Sequence, residues 1–334
     1  MKSLSNAPMA LFFFAISVLP IHLCAASGQT PEQAPATSAV VWQSSKAQHV
    51  YGLPDIKRNK KGTLMLSHDA LTFTGNSGNA SIPRNAVTAV SAGNQRVELF
   101  GKAGMFLRMT IPDGGGVAAA AVMHHRVDLL TVEFNDDRGG KRSAVFLLPA
   151  KEADRAMQDF TVTPPVPRQA AEAACAADAV EPQSVLVATP DWGRADVPAA
   201  YRALVYEHMV DRLRTTKGVG HVYRDGEGHG RGGCAQYTIH ISIATFKEGS
   251  SVKRAAFGPI GFFVGTTQMK FDVTFTDAAG RLQTSQEIKA TMRGESESTN
   301  VADHVAKSVA KKYAAALREL ARRSSHASSG NRMS

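Results

Sequence analysis

Residues 161–183, TVTPPVPRQAAEAACAADAVEPQ, divide the chain into two stretches of different rhythm. This proline- and alanine-rich composition has too little apolar bulk for a core of its own, so the connector marks the domain boundary. The chain must therefore build its structure on either side of it. Its 334 residues suffice for two ordinary domains of roughly 100–200 residues each. A hydrophobic content of 43% with 20% charged residues is that of globular material.

Before the connector, short apolar runs are separated by turn residues, the pattern of an antiparallel sheet. GTLMLSHDALTFTGN gives two runs, 63–67 and 70–74, joined by a tight turn at His68 and Asp69. NASIPRNAVTAVSAGNQRVELFG predicts up to three more, with breaks at 83–85 and 92–94. MFLRMTI, VDLLTVEF and RSAVFLL complete seven or eight strands, the last two joined by a turn at 135–140. PAKEADRAMQDF, residues 149–160, is helical by period, with Ala153, Ala156, Met157 and Phe160 on one stripe.

After the connector the period changes. SVLVATP (184–190) predicts a strand, and VPAAYRALVYEHMVDRLR (197–214) a helix burying Tyr201, Leu204, Val205, His208, Met209 and Leu213. Three strands follow: AQYTIHISIATF, QMKFDVTFTD and RLQTSQEIKATM. In the first, Tyr237, Ile239, Ile241 and Ile243 alternate with Thr238, His240, Ser242 and Ala244, so one face is buried. The last helix runs from near Asn300 toward Arg323, its apolar stripe Val301, Val305, Val309, Tyr313, Leu317 and Leu320.

The whole predicts an α+β chain. The boundaries are a signal at 1–26, a flexible leader at 27–47, a β domain at 48–160, the linker 161–183, an α+β domain at 184–323 and a disordered tail at 324–334. The order of the second domain, β-α-β-β-β-α, puts both helices on one face of its sheet.

Two resemblances rest on these pieces. GTLMLSHDALTF, SIPRNAVTAV and the helix at 149–160 make residues 48–160 resemble the pleckstrin-homology-like superfold, including GRAM-type versions. That implies an antiparallel β barrel closed by a C-terminal helix, a scaffold that hosts many ligands. The opening strand and helix, FGPIGFFVG and VTFTDAAGRLQTSQEI make residues 184–323 resemble an uncharacterised family of bacterial envelope proteins, often lipoproteins. More distantly they are similar to modules of the curli-secretion lipoprotein and the TolB amino-terminal domain. This second resemblance implies an envelope location, contacts with an envelope protein partner and no known reaction.

The first 26 residues agree with export. Lys2 opens a positive start, residues 10–19 are apolar, and Cys24-Ala25-Ala26 offers a small-residue cleavage site. The expected product is periplasmic or secreted and begins near Ser27. Pro20 and His22 interrupt the run before it reaches the ~20 apolar residues of a membrane span. A lipid anchor on Cys24 is the competing reading, but Leu23, His22 and Ile21 fit a lipobox poorly.

The charge is basic, with 38 Lys and Arg against 29 Asp and Glu and a formal net charge of +9. Nucleic acid is excluded as a partner by the expected export and by the lack of aromatics around the densest run, Lys57-Arg58-Asn59-Lys60-Lys61. A generic, salt-screened attraction to an anionic membrane surface remains.

Chemical motifs reduce to structural ones. Gly228, Gly230 and Gly233 satisfy G-x-G-x-x-G, yet they precede a strand where a dinucleotide fingerprint precedes a helix. Asp225, Glu227 and His229 alternate through the same loop without the spacing of a metal site, so the loop reads as a connector. Ser67, His68 and Asp69 are neighbours in a turn and cannot form a relay, and His124-His125 read as surface residues. His208 reads as a core histidine, and Asp191 and Trp192 as a cap and a packed ring.

No catalytic residue, metal ligand or cofactor is therefore expected. The leading reading is an exported, non-catalytic envelope protein acting through protein contacts in assembly or transport. The alternatives are a lipid or small-ligand module using the first domain, and a hydrolase with a site across the domains. Cys175 and Cys234 are candidates for a disulfide, because an oxidising compartment permits a bridge once Cys24 is removed. Phe257, Ile260, Phe262 and Phe263, in an apolar connector between strands, are candidates for an interaction surface.

Overall fold

The computed structural model describes residues 39–98, 124–160, 179–227, 234–247, 267–292 and 298–330. Residues Ser38–Ser334 belong to one compact unit.

The first sheet has seven strands in the order β4-β3-β2-β1-β7-β6-β5. They are β1 (Val40–Tyr51), β2 (Lys60–Ser67), β3 (Ala70–Gly75), β4 (Gly78–Pro83), β5 (Val87–Glu98), β6 (His124–Asn135) and β7 (Lys141–Pro149). All neighbours are antiparallel. The predicted run at MFLRMTI lies outside the described residues.

Among the described residues β4 and β5 are free edges, so the expected closed barrel is corrected to an open sheet. The sheet nevertheless folds over one core. Leu64, Leu66, Phe73 and Ile82 from one half share a cluster with Leu130, Val132, Phe146 and Leu148 from the other. Helix α1 (Glu152–Asp159) adds Ala153 and Ala156, with Phe160 just beyond its end, while Met157 is left 38% exposed.

Two sequence expectations shift in this sheet. β1 takes in residues 40–47, read from the sequence as flexible leader. β5 runs unbroken through the break expected at 92–94, because its backbone stays paired to β6 from Val87 to Glu98.

The second sheet has five strands in the order β12-β11-β10-β8-β9. They are β8 (Val180–Val187), β9 (His221–Arg224), β10 (Cys234–Lys247), β11 (Thr267–Asp277) and β12 (Leu282–Met292). β8 is parallel to both β9 and β10, and β10, β11 and β12 form an antiparallel meander. The short β9 is an addition to the expected order. In β10, Ile239, Ile241 and Ile243 are buried and His240, Ser242 and Ala244 exposed, as the alternation predicted.

Two helices cover this sheet, α2 (Ala199–Arg214) and α3 (Ser298–Gly330). Val305, Val309 and Tyr313 of α3 pack into its core, and the helix reaches Gly330, within the stretch 324–334 expected to be a disordered tail, of which 331–334 lie outside the described residues.

α2 joins the two sheets. Leu204, Val205 and Met209 face the second sheet's core, while Tyr206, Glu207 and Val210 are buried as well. A helix buried all round lies between two layers. Here the other layer is the first sheet: Val50, Leu129 and Val145 belong to the same apolar cluster as α2. The connector between the sheets lies largely outside the described residues.

Candidate functional site

The seam between the sheets is built around one buried ion pair. Glu207 sits on the α2 face turned to the first sheet, and Arg224 ends β9; they are 2% and 1% exposed. Arg224 donates Nη1–H to Glu207 Oε1 at 2.8 Å and Nη2–H to Oε2 at 2.7 Å. This two-pronged geometry is what guanidinium offers a carboxylate. Both ends are also tied to β7: Glu207 Oε1 accepts the Ser143 N–H at 2.9 Å, and Arg224 donates to the Lys141 carbonyl at 3.0 Å. Burial works against the arginine's charge, and Glu207 outweighs it, so the Arg224 pKa is raised.

The start of the glycine-rich loop extends the seam. Asp225 N–H donates to Tyr206 Oη at 3.0 Å, and its carbonyl accepts the Lys141 N–H at 2.8 Å. Its carboxylate accepts from Thr189 Oγ1 at 2.5 Å and Lys141 Nζ at 2.9 Å. Burial opposes the Asp225 charge, but these partners outweigh it and hold the carboxyl below its ordinary pKa. Glu227 accepts the Arg224 N–H at 2.5 Å. Gly226 and Gly139 meet backbone to backbone, both at positive φ, and a Cβ on Gly226 would stand 2.6 Å from the Gly139 carbonyl oxygen. Residues 224–227, where the segment read as a connector begins, thus clasp the two sheets, and Gly228, His229, Gly230 and Gly233 lie outside the described residues.

Beside the pair opens a cleft of ≈ 890 Å³, with walls from the loop between β1 and β2, β7, α2 and Arg224. The loop is fixed from within by His49, which is 1% exposed. His49 Nε2 accepts the Leu53 N–H at 3.1 Å, so the neutral ring carries its proton on Nδ1 and points it at the Lys57 carbonyl, 3.3 Å away. Burial lowers the His49 pKa, which keeps that tautomer neutral. At the far wall Tyr51 donates to Asp211 at 2.5 Å and stacks on His208 with centroids 4.0 Å apart. Burial above all, and the Asp211 carboxylate with it, raise the Tyr51 pKa.

His208 is a core histidine, as expected, and its Nε2 has no hydrogen-bond partner among the described residues. Burial pushes its pKa down to about 4 from 6.5. The unfolded chain therefore takes up a proton as the pH falls through 6.5, while the folded protein resists until about 4. Stability is full above that window and drops within it by on the order of 3 kcal/mol. Thermal melts between pH 7 and pH 4 will show this loss, and His208→Phe, which keeps a ring against Tyr51, will reduce it, leaving the part of the same sign that comes from buried His49. An unchanged pH slope in the variant would refute the assignment.

The other sequence candidates fall elsewhere. Cys234 opens β10, is buried and does not stand as a free thiol. Cys175, Phe257, Ile260, Phe262 and Phe263 lie outside the described residues. Asp191 caps its own turn by accepting the Gly193 N–H at 2.9 Å, and Trp192 packs against the core. Ser67 Oγ accepts the Asp69 and Ala70 N–H groups and closes the β2–β3 turn.

Sequence reasoning missed the seam. The available signal was Glu207 within the apolar run of α2, a charge that needs a buried partner. A second stripe, Ala203, Tyr206, Glu207 and Val210, has the i, i+3, i+4, i+7 spacing of another packed face.

No protein-family model matches the sequence, and no curated protein does. Among solved structures, the chain is similar to a PelC dodecamer from Paraburkholderia phytofirmans at 16% identity and a TM-score of 0.30, covering 39% of this chain and 87% of that one. It is similar to a DUF330 protein from Xanthomonas campestris at 12% identity and a TM-score of 0.29, over 42% of this chain and 91% of that one. A lipoprotein from Neisseria meningitidis gives 9% identity and a TM-score of 0.26, over 39% and 97%. Scores this low leave function to the chain's own geometry.

Proposed function

We propose that this is an exported protein of the bacterial envelope that works by binding, with the cleft at the seam as its binding site. The observation that carries this is a polar cleft whose two walls are locked together by the buried Glu207–Arg224 pair. Binding sites gain affinity when their walls are held in place before the ligand arrives. The titratable groups around the cleft support binding over catalysis. Glu207 is held by Arg224 and Ser143, Asp211 by Tyr51, and His49 by Leu53 and Lys57. Each spends its lone pairs or proton on the protein itself.

Export rests on the leader at 1–26, and a bridge between Cys175 and Cys234 belongs to the same reading. In an oxidising compartment the bridge would tie the connector to the start of β10.

One preparation tests the reading. Protein recovered from the periplasm will begin near Ser27 and will titrate no free thiols when denatured without reduction. In intact cells the cleft lysines Lys57 and Lys60 will react more slowly with an amine-acylating reagent than in the purified, dialysed protein. Lys289, on β12 and with its side chain 62% exposed, will react equally in both. Equal labelling of the cleft lysines in both settings would remove the binding reading.

A further inference from the structure

The sequence run DIKRNKK, residues 55–61, looks like an ordinary solvated basic patch. The fold gives it a specific setting. Lys57, Arg58 and Lys60 line the cleft together with Arg142 from β7, Arg214 from the end of α2 and the buried Arg224. The lining carboxylates are Asp55, Glu207 and Asp211.

Half of those cations are already paired. Arg224 pairs with Glu207, Arg214 lies 3.4 Å from Asp211, and Arg142 lies 2.7 Å from Asp136 outside the cleft. Six cations thus face three lining carboxylates and Asp136, an excess of two positive charges. Lys57, Arg58 and Lys60 have no ion-pair partner among the described residues.

The loop carrying Lys57 and Arg58 is held in place, and Lys60 opens β2, paired with His49. His49, wedged between Phe73 and Phe146 with centroids 5.9 Å from each, grips the Leu53 N–H and the Lys57 carbonyl. Asn59 N–H donates to the Val50 carbonyl at 3.3 Å and closes the loop. Arg214 is crowded as well: burial first, then the charges of Arg224 and Arg142, depress its pKa. An anion between these groups would relieve that repulsion.

A second recess of ≈ 490 Å³ shares Arg142 and Arg214 and is lined by Arg138, His221 and Glu227 among others. Of the fifteen residues lining the main cleft nine are charged, which suits a polar ligand and not an acyl chain.

We infer that the cleft binds a phosphate dianion, carried by a small phosphate ester or by a lipid headgroup, with Lys57, Arg58 and Lys60 as its ligands. The two-charge excess matches the dianion, and three separate cations lining one cleft, Lys57 and Arg58 on the loop and Lys60 at the start of β2, suit its several acceptor oxygens. This rests on the cleft being the binding site.

The test uses the mature full-length chain in low salt. Inorganic phosphate and pyrophosphate will bind by calorimetry, and affinity will fall as salt is added. Lys57→Ser with Arg58→Ser, both exposed positions, will leave the melting temperature unchanged and weaken binding about tenfold or more for each cation removed. Lys289→Ser, with its lysine outside the cleft lining, will bind as the parent does.

Vesicles of phosphatidylcholine with phosphatidic acid, whose terminal phosphate monoester can carry two charges, distinguish the sources. Flotation that pyrophosphate competes away identifies a headgroup, whereas phosphate binding without flotation identifies a soluble ester. Absence of phosphate and pyrophosphate binding, or binding that survives the double substitution, overturns the inference. If Lys57 and Lys60 are shielded in cells yet neither phosphate binds, the phosphate assignment falls while the cleft remains the binding site.

Discussion

Glu207→Ala is expected to lower stability by about 3–5 kcal/mol, the cost of leaving a buried charge without its partner. Arg224, 1% exposed, would keep its guanidinium inside the protein with the Tyr206 ring beside it and the Lys141 carbonyl as its one remaining hydrogen-bond acceptor among the described residues. The Ser143 N–H on β7 would lose its acceptor as well. A water-filled cavity at that depth would restore only part of the loss, because the charge stays in a low-dielectric seam.

The location of the pair makes a second expectation. Glu207 and Arg224 both reach β7, so the pair fastens the second sheet to the first. Chemical denaturation of the parent protein should give one transition. The alanine variant should give two, as the sheets separate before either core melts. Replacing both residues with methionine removes both charges and fills the volume, and buried pairs replaced this way are often neutral or stabilising. The double variant should therefore recover most of the stability and the single transition. A Glu207→Ala protein that melts within about 1 kcal/mol of the parent, still in one step, would show that the pair does not hold the seam.

The strands of both sheets were legible where one face is buried against one core. β2, β3, β10 and β11 alternate as a half-buried strand must, whereas β7 is buried on both faces from Ser143 to Phe146 and was legible as a continuous apolar run. β1 was not legible, because its buried positions include Ser44 and His49 alongside Ala47 and Val50. Polar residues in those places hide the period, and His49 is there because it holds the loop. β9 is four residues long and includes Arg224, so neither length nor pattern announced it.

The site was hidden for a related reason. Each part is ordinary alone: a basic loop, an acidic residue on a helix, an arginine closing a short strand. Glu207 and Arg224 lie 17 residues apart, and Arg224 and Lys141 lie 83 apart. Only the approach of one sheet to the other gives these groups a common function. The two faces of α2 recorded that approach in the sequence, since a helix on one sheet alone needs one apolar stripe.

Gly52→Ala should be as damaging as removal of Glu207, through geometry in place of charge. Gly52 stands at φ 99° where β1 enters the cleft loop, a conformation that side chains rarely adopt. A Cβ there would lie 1.8 Å from the Ser143 carbonyl oxygen and 3.1 Å from the Ala144 Cα, so the obstacle is backbone and cannot rotate away. Either the loop moves off β7 or β7 moves off the loop. In both cases the Ser143 N–H turns away from Glu207, and the loop carrying Lys57 and Arg58 shifts. Backbone strain of about 1–3 kcal/mol and overpacking of about 1–3 kcal/mol together predict a loss of several kcal/mol. Gly93→Ala on β5 is the control, because its nearest neighbour would be Leu129 Cβ at 3.9 Å and its stability should hardly change. Since Gly52 and Glu207 act on the same residue of β7, their effects should be less than additive in a double-mutant cycle. Full additivity would mean that loop and ion pair support the seam independently. A Gly52→Ala protein of parental stability would show that the loop does not rest on β7.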